Sequence, residues 1–582
     1  MTEAPLIVQQ DRTVLLETQH PGYEMARDRL QRFAELEKSP EYVHFYKITA
    51  VSVWNAAALG ETLASIVDWL ILNSRFPIAR PVLAQLTEWH RRYGLLQLES
   101  AKDGSGELVL TCAEADLLAE LAADDQLQKL VAHHRDGTLR VQQADRGAVK
   151  QMLVRLGYPV DDRAGYVSGD ALSFALRSET QQGHAFALRG YQQAAAAAFH
   201  RGGSDLGGCG VVVLPCGGGK TVVGIGVMQL LQTNTLVLTT NTVAVRQWVR
   251  EILDKTDLRE DQVGEYTGEQ KAIRPVTVAT YQILTHRKDK LAAFTHLDVF
   301  DKGGFGLIVY DEVHLLPAPV FRATAGIQAR RRLGLTATLV REDGRQDEVF
   351  SLIGPKRYEV PWKQLERAGF LATAQCFEVR VPLGPERAQR HARSGARQQF
   401  RIASENERKL DVVGALLHKH ANDRVLVIGQ FLQQLQQLAT VFQLPLITGQ
   451  TPNVERERLY AGFRSGSIQR LVVSKVGNFA VDLPDANVAI EVSGTFGSRQ
   501  EEAQRLGRIL RPKEDGGTAC FYALVSPATR EQEFAQKRQL FLTEQGYAYA
   551  IVEAATFLPA GATAGGVGAA TGMAKANEDP KR

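Results

Sequence analysis

Gly210-Val211-Val212-Val213-Leu214-Pro215-Cys216-Gly217-Gly218-Gly219-Lys220-Thr221 runs from an apolar, β-branched strand into a glycine-rich turn. Val222 to Leu231 then reads as a buried helix. Strand, turn and helix in that order are the setting of a phosphate-binding loop. Gly217, Gly218 and Gly219 let the backbone curl so that successive N–H groups point inward, and the new helix aims its positive end at the same spot. Lys220 can reach the β/γ-phosphates of a nucleotide, and Thr221 can hold Mg²⁺ by its hydroxyl. The strict G-x-x-x-x-G-K-[ST] pattern has glycine where this chain has Leu214, whereas its Gly-Lys-Thr end is intact. The competing reading is a tight strand–helix turn with an incidental lysine.

The residues downstream argue against that alternative. Thr235–Thr240, Val276–Tyr281 and Gly306–Tyr310 are further apolar strands, separated by helical patterns. Such alternation predicts a parallel, doubly wound sheet, which binds ligands at the carboxyl ends of its strands. Asp311 and Glu312 fall at that end, 91 residues beyond Lys220. Asp311 can hold Mg²⁺ through water, and Glu312 can orient and deprotonate an attacking water. Upstream, Gln192 precedes an alanine-rich helix; its amide has both the donor and the acceptor that an adenine edge requires. His314 is a polar link that could report nucleotide state to its neighbours.

Asp311-Glu312-Val313-His314 and Thr336-Ala337-Thr338 resemble motifs II and III of superfamily 2 helicases. Arg341-Glu342-Asp343 looks like the RED motif of the xeroderma pigmentosum group B (XPB) helicases, and the resemblance runs over roughly residues 1 to 550. The Pro5–Glu17 hairpin and the Val53-Trp54-Asn55-Ala56-Ala57 helix look like the bacterial members. The resemblance implies two tandem RecA-like lobes that use ATP and Mg²⁺ to move on DNA with 3′→5′ polarity, in nucleotide excision repair or transcription-linked repair. It implies nucleic-acid contacts for Asn241, Thr280, Arg341, Glu342, Asp343 and Gly477, and lobe coupling through His314, Thr336 and Thr338. The family can work with a nuclease or repair partner, which no residue here names.

The second lobe repeats the pattern without a phosphate loop. Arg424–Gly429 and Leu471–Lys475 are core strands. Gly477 to Pro484 looks like motif V, with Asp482 near the ribose, and Gly449-Gln450-Thr451 with Arg456 and Arg458 fits motif IVa. Gln504-Arg505-Leu506-Gly507-Arg508-Ile509-Leu510-Arg511 puts Gln504, Arg508 and Arg511 near one helix face. A dissociative phosphoryl transition state spreads charge over equatorial oxygens, and an arginine from across a cleft stabilises it. Between Val379 and Leu410 eight basic side chains face three acidic ones, a net of +5. Arginines pair phosphates well; the alternative is a solvated helical face. The family has a thumb-like insertion here, and the matching stretch, near 383–402, is short.

The 582 residues are too long for one core at ~150 residues per domain. We expect an N-terminal α+β region over 1–160, a linker over 161–183, the first lobe over 184–362, the second over 363–550 and a disordered Ala/Gly-rich tail over 551–582. Three helical patterns followed by the Leu95–Thr111 hairpin give the N-terminal region a winged-helix order, a module that binds DNA or proteins. Net charge is only +3, so a basic surface must be local. The five cysteines are scattered and include no C-x-x-C, which argues against a structural zinc or iron–sulfur site and fits a reducing compartment. No apolar run reaches ~18 residues and no signal sequence is evident. We therefore expect a cytoplasmic, nucleoid-associated monomer with no membrane partner. A duplex translocase that does not unwind, an RNA helicase and a non-motor ATP switch stay open.

Overall fold

A computed structural model describes residues 4–558 except 40–41, 134–136, 205–206, 285, 287–295, 297–298, 316–329, 338–345, 475–485, 495–517 and 548. Two seven-stranded sheets, parallel throughout, carry the lobes. The first has the spatial order Val263–Tyr266, Val276–Thr280, Thr235–Thr239, Leu307–Asp311, Arg331–Thr336, Cys209–Val213, Lys356–Glu359. The second runs Leu446–Ile447, Arg470–Ser474, Val425–Gly429, Val488–Glu491, Ala519–Val525, Ala374–Arg380, Tyr549–Glu553. Helices cover both faces, so the central strands are buried along nearly their whole length instead of alternating. Cys209–Val213, Thr235–Thr239 and Val425–Gly429 are buried at every position.

The N-terminal region is two small cores. In the first, the predicted Leu6–Val8/Thr13–Glu17 hairpin joins Val43–Lys47 and Glu35–Lys38 in a four-stranded antiparallel sheet. The helices Ala50–Ala58, Leu63–Asn73 and Arg80–Arg92 bury Val53, Ile66, Leu70, Val82 and Leu86 against it. Thr49 and Ser52 close a capping box on the first of these helices, and Thr62 caps the second. The second core holds the Leu96–Ser100/Leu108–Cys112 hairpin in a five-stranded sheet that ends on Val160–Asp162. The helices and hairpin thus follow in winged-helix order, but pack into different cores.

Residues 163–188 lie along the first lobe. Leu172 and Phe174 enter its core, and isolated bridges tie Ala171 to Thr233 and Leu176 to Thr256. The strand that precedes them ends in a buried charge cluster: Asp162 takes Arg146 at 2.7 Å and Lys150 at 2.8 Å, with all three side chains at most 6% exposed. The first core also reaches both lobes. Asn55 Oδ1 accepts from Lys356 N at 3.0 Å, Trp54 packs on Phe350, and Leu540 of the second lobe joins the N-terminal core.

Two expectations change at the C-terminal side. Residues 551–553 are not tail: Tyr549–Glu553 pairs with Cys376–Arg380 as an edge strand, and Ala554 is buried behind it. The alanine-rich composition downstream hid a β-branched segment. The basic stretch forms two helices, Pro385–Ala392 and Ala396–Ser404, the second packing Phe400 on Phe534. Part of its charge is paired: Arg387 with Glu407, Arg401 with Glu405, and buried Lys409 with Glu531 of the second lobe. Among the described residues, no single helix is long and apolar enough to cross a membrane.

Candidate active site

The glycine-rich turn is built from its backbone. Gly217 and Gly219 have φ of 81° and 76°, in the left-handed region that other residues avoid. A Cβ on Gly219 would lie 2.4 Å from Gln192 Nε2. Gly218 N–H donates to Pro215 O, closing the curl, and the helix Lys220–Leu231 starts with no side-chain cap on its first N–H groups. Uncapped N–H groups beside left-handed glycines form a cradle for an anion. Leu214, the departure from the strict pattern, is fully buried, and its N–H donates to Thr336 O. It is a core residue, and the curl begins one residue later.

Lys220 Nζ lies 2.6 Å from Glu312 Oε1. Burial works against the ammonium charge, but the Glu312 and Asp311 carboxylates outweigh it and raise Lys220 above its ordinary value. Asp311 shifts upward too: burial and then the Glu312 charge push it to about 6. Trp248 Nε1 donates to Asp311 Oδ2 at 2.9 Å, and Tyr281 OH donates to the Asp311 carbonyl at 2.8 Å. Glu312 itself has φ of 51°, a left-handed conformation that costs about 1–3 kcal/mol for a residue with a side chain. Next to it, His314 Nδ1 is 2.6 Å from Thr336 Oγ1. The Thr221 hydroxyl and Asp311 carboxylate are hard oxygen donors, the type that Mg²⁺ takes, so loop and strand end fit a magnesium nucleotide.

Three of the predicted site residues make hydrogen bonds within the protein. The Gln192 amide is committed to protein: Oε1 accepts from Arg189 N, and Nε2 donates to Gly218 O at 3.3 Å. Gln192 thus stands directly against the glycine-rich loop. Thr280 is 5% exposed and its hydroxyl accepts from Ile283 N. Asn241 Oδ1 caps the helix Thr242–Lys255 by accepting from Ala244 N. Thr338, Arg341, Glu342, Asp343, Gly477, Asp482, Gln504, Arg508 and Arg511 lie outside the described residues.

Sequence reasoning passed over Trp248, Tyr281 and Tyr191, whose hydroxyl donates to Gly218 O at 2.9 Å. Tyr191 also packs against Phe370, over which the Arg189 guanidinium sits at 4.7 Å. Phe370 comes from the segment that enters the second lobe, so these contacts join the loop to that segment.

Three family models match the chain: the ERCC3/RAD25/XPB C-terminal helicase over residues 365–561, a helicase conserved C-terminal domain over 6–136, and the type III restriction enzyme res subunit over 185–341. A protein of Mycobacterium tuberculosis named DNA 3′-5′ helicase XPB is 49% identical over 555 residues, covering 95% of this chain and 98% of that one. Its namesake in Kineococcus radiotolerans is 49% identical, covering 95% and 97%. The general transcription and DNA repair factor IIH helicase/translocase subunit XPB/SSL2 of Saccharomyces cerevisiae is 31% identical, covering 93% of this chain and 71% of that one.

Proposed function

Because the chain belongs to the XPB family of superfamily 2 DNA helicases, we propose that it couples ATP hydrolysis to 3′→5′ unwinding or translocation on DNA during repair of the nucleotide-excision type. ATP is the nucleotide such helicases use. The observation that carries the proposal is the 2.6 Å contact of Lys220 with Glu312 at the carboxyl edge of an all-parallel sheet. In this reading Gly217, Gly218, Gly219 and Lys220 bind the phosphates. Thr221 and Asp311 hold Mg²⁺, which withdraws charge from the phosphate oxygens when bound. Glu312 takes the proton of the attacking water. Gln504, Arg508 and Arg511 approach from the second lobe to stabilise transition-state charge, and Asp482 approaches the ribose.

Arg341, Glu342, Asp343, Gly477 and the exposed Arg390, Arg393 and Arg397 meet the DNA. His314, Thr336 and Thr338 relay between the lobes. The same reading has the protein working as a monomer on nucleoid DNA in the cytoplasm, beside a nuclease or repair partner. Strand displacement from forks with a single 3′ or 5′ tail tests it. ATP-dependent displacement from the 3′-tailed fork is the expected result. Triplex displacement without fork opening would favour a duplex translocase, and no response to any nucleic acid would overturn the motor reading.

A further inference from the structure

A buried indole lies between the loop helix and Asp311. Trp248, two turns into the helix Thr242–Lys255, is 1% exposed. Val245 and Ile252 share its face and are fully buried, which fixes the helix against the sheet. Gly224 of the loop helix leaves room for the ring: a Cβ there would be 2.6 Å from Trp248 Cη2. Among the described residues, Trp248 is the side chain that hydrogen-bonds to the Asp311 carboxylate, through Oδ2 at 2.9 Å. The main chain of Asp311 is held separately, by Tyr281 OH at 2.8 Å.

The division of labour matters because the terminal torsion of an aspartate is broad and roughly two-fold. A fixed backbone alone therefore leaves the carboxylate plane unset. A rigid side-chain N–H donor on Oδ2 selects a single plane for the carboxylate. Tryptophan suits the task because its ring nitrogen only donates and never competes as an acceptor. Outer partners of metal-holding carboxylates act in this way, and their loss costs metal affinity about tenfold or more.

We infer that Trp248 is a positioning residue for ATP hydrolysis, which sets the Asp311 carboxylate in the orientation that receives nucleotide-bound Mg²⁺. This rests on the ATPase reading of the site. Trp248→Phe in the full chain keeps most of the ring and removes the N–H. Equilibrium binding of a fluorescent non-hydrolysable ATP analogue is then titrated with MgCl₂. The Mg²⁺ concentration for half-maximal tight binding should rise about tenfold, while binding in EDTA stays at the wild-type level and excess Mg²⁺ restores turnover. Gly224→Ala, which drives the ring off the carboxylate, should shift the same curve and serves if the first variant does not fold. A Trp248→Phe curve that superimposes on wild type at an unchanged unfolding temperature would overturn the inference and leave the ATPase reading standing. Wild type with no Mg²⁺-dependent nucleotide binding would instead strike the ATPase reading itself.

Discussion

Lys220 and Glu312, 92 residues apart in the chain, meet through Nζ and Oε1 at 2.6 Å. The lysine that should grip a phosphate and the acid that should activate water thus stand side by side at the end of one sheet. Glu312→Gln keeps the shape and removes the basicity. Nucleotide binding should persist while kcat falls by roughly 10²–10⁴. Steady-state ATP turnover beside nucleotide affinity reads both; a normal kcat would deny Glu312 its role.

Gly219→Ala addresses the loop. Its φ of 76° strains any residue with a Cβ, and the added methyl group would displace the Gln192 amide that lies 2.4 Å away. The loop must shift, at a cost of about 1–3 kcal/mol. Nucleotide affinity should drop at least tenfold, while Gly268→Ala, in open space, should leave it unchanged. Calorimetric titration with ATP compares the two.

Much of this engine was legible because it is local. Gly217–Thr221 and Asp311-Glu312 are runs of adjacent residues whose types fit one chemistry, and each follows an apolar strand. The sheets were legible too, since strands such as Val425–Gly429 are apolar throughout. What escaped depends on partners distant in sequence. Trp248 looks like any core tryptophan until folding brings it to Asp311, and Gln192 looks free until Gly218 O reaches it. The helices and hairpin of the N-terminal region have the order of one module; only their burial assigns them to two cores.

Asp162→Ala should unhinge the second N-terminal core. It would leave the Arg146 and Lys150 cations buried without their carboxylate. Breaking a buried pair in this way costs about 3–5 kcal/mol. A clear fall in the unfolding temperature is expected, with faster proteolysis around residues 139–162. A variant as stable as wild type would contradict the cluster's structural role.

His44 makes the first core acid-sensitive. Burial, and then the nearby Arg27 charge, push its imidazole down to about 4, from an ordinary 6.5. The unfolded chain therefore binds the extra proton between those values, so stability is complete above pH 6.5 and declines as pH falls toward 4. The full loss is about 3 kcal/mol. Hydrogen exchange of the Val43–Lys47 amides should accelerate relative to His44→Gln over that window. Parallel pH profiles would refute the assignment.

ATP turnover by the whole chain, with single-stranded DNA, fork, duplex or RNA added across a salt series, tests the central claim most directly. The account predicts marked acceleration by DNA that fades as salt rises, with a log–log slope of about 0.9 for each phosphate contact to duplex. It also predicts little response to RNA. A rate indifferent to every nucleic acid, or one that RNA alone stimulates, would contradict it.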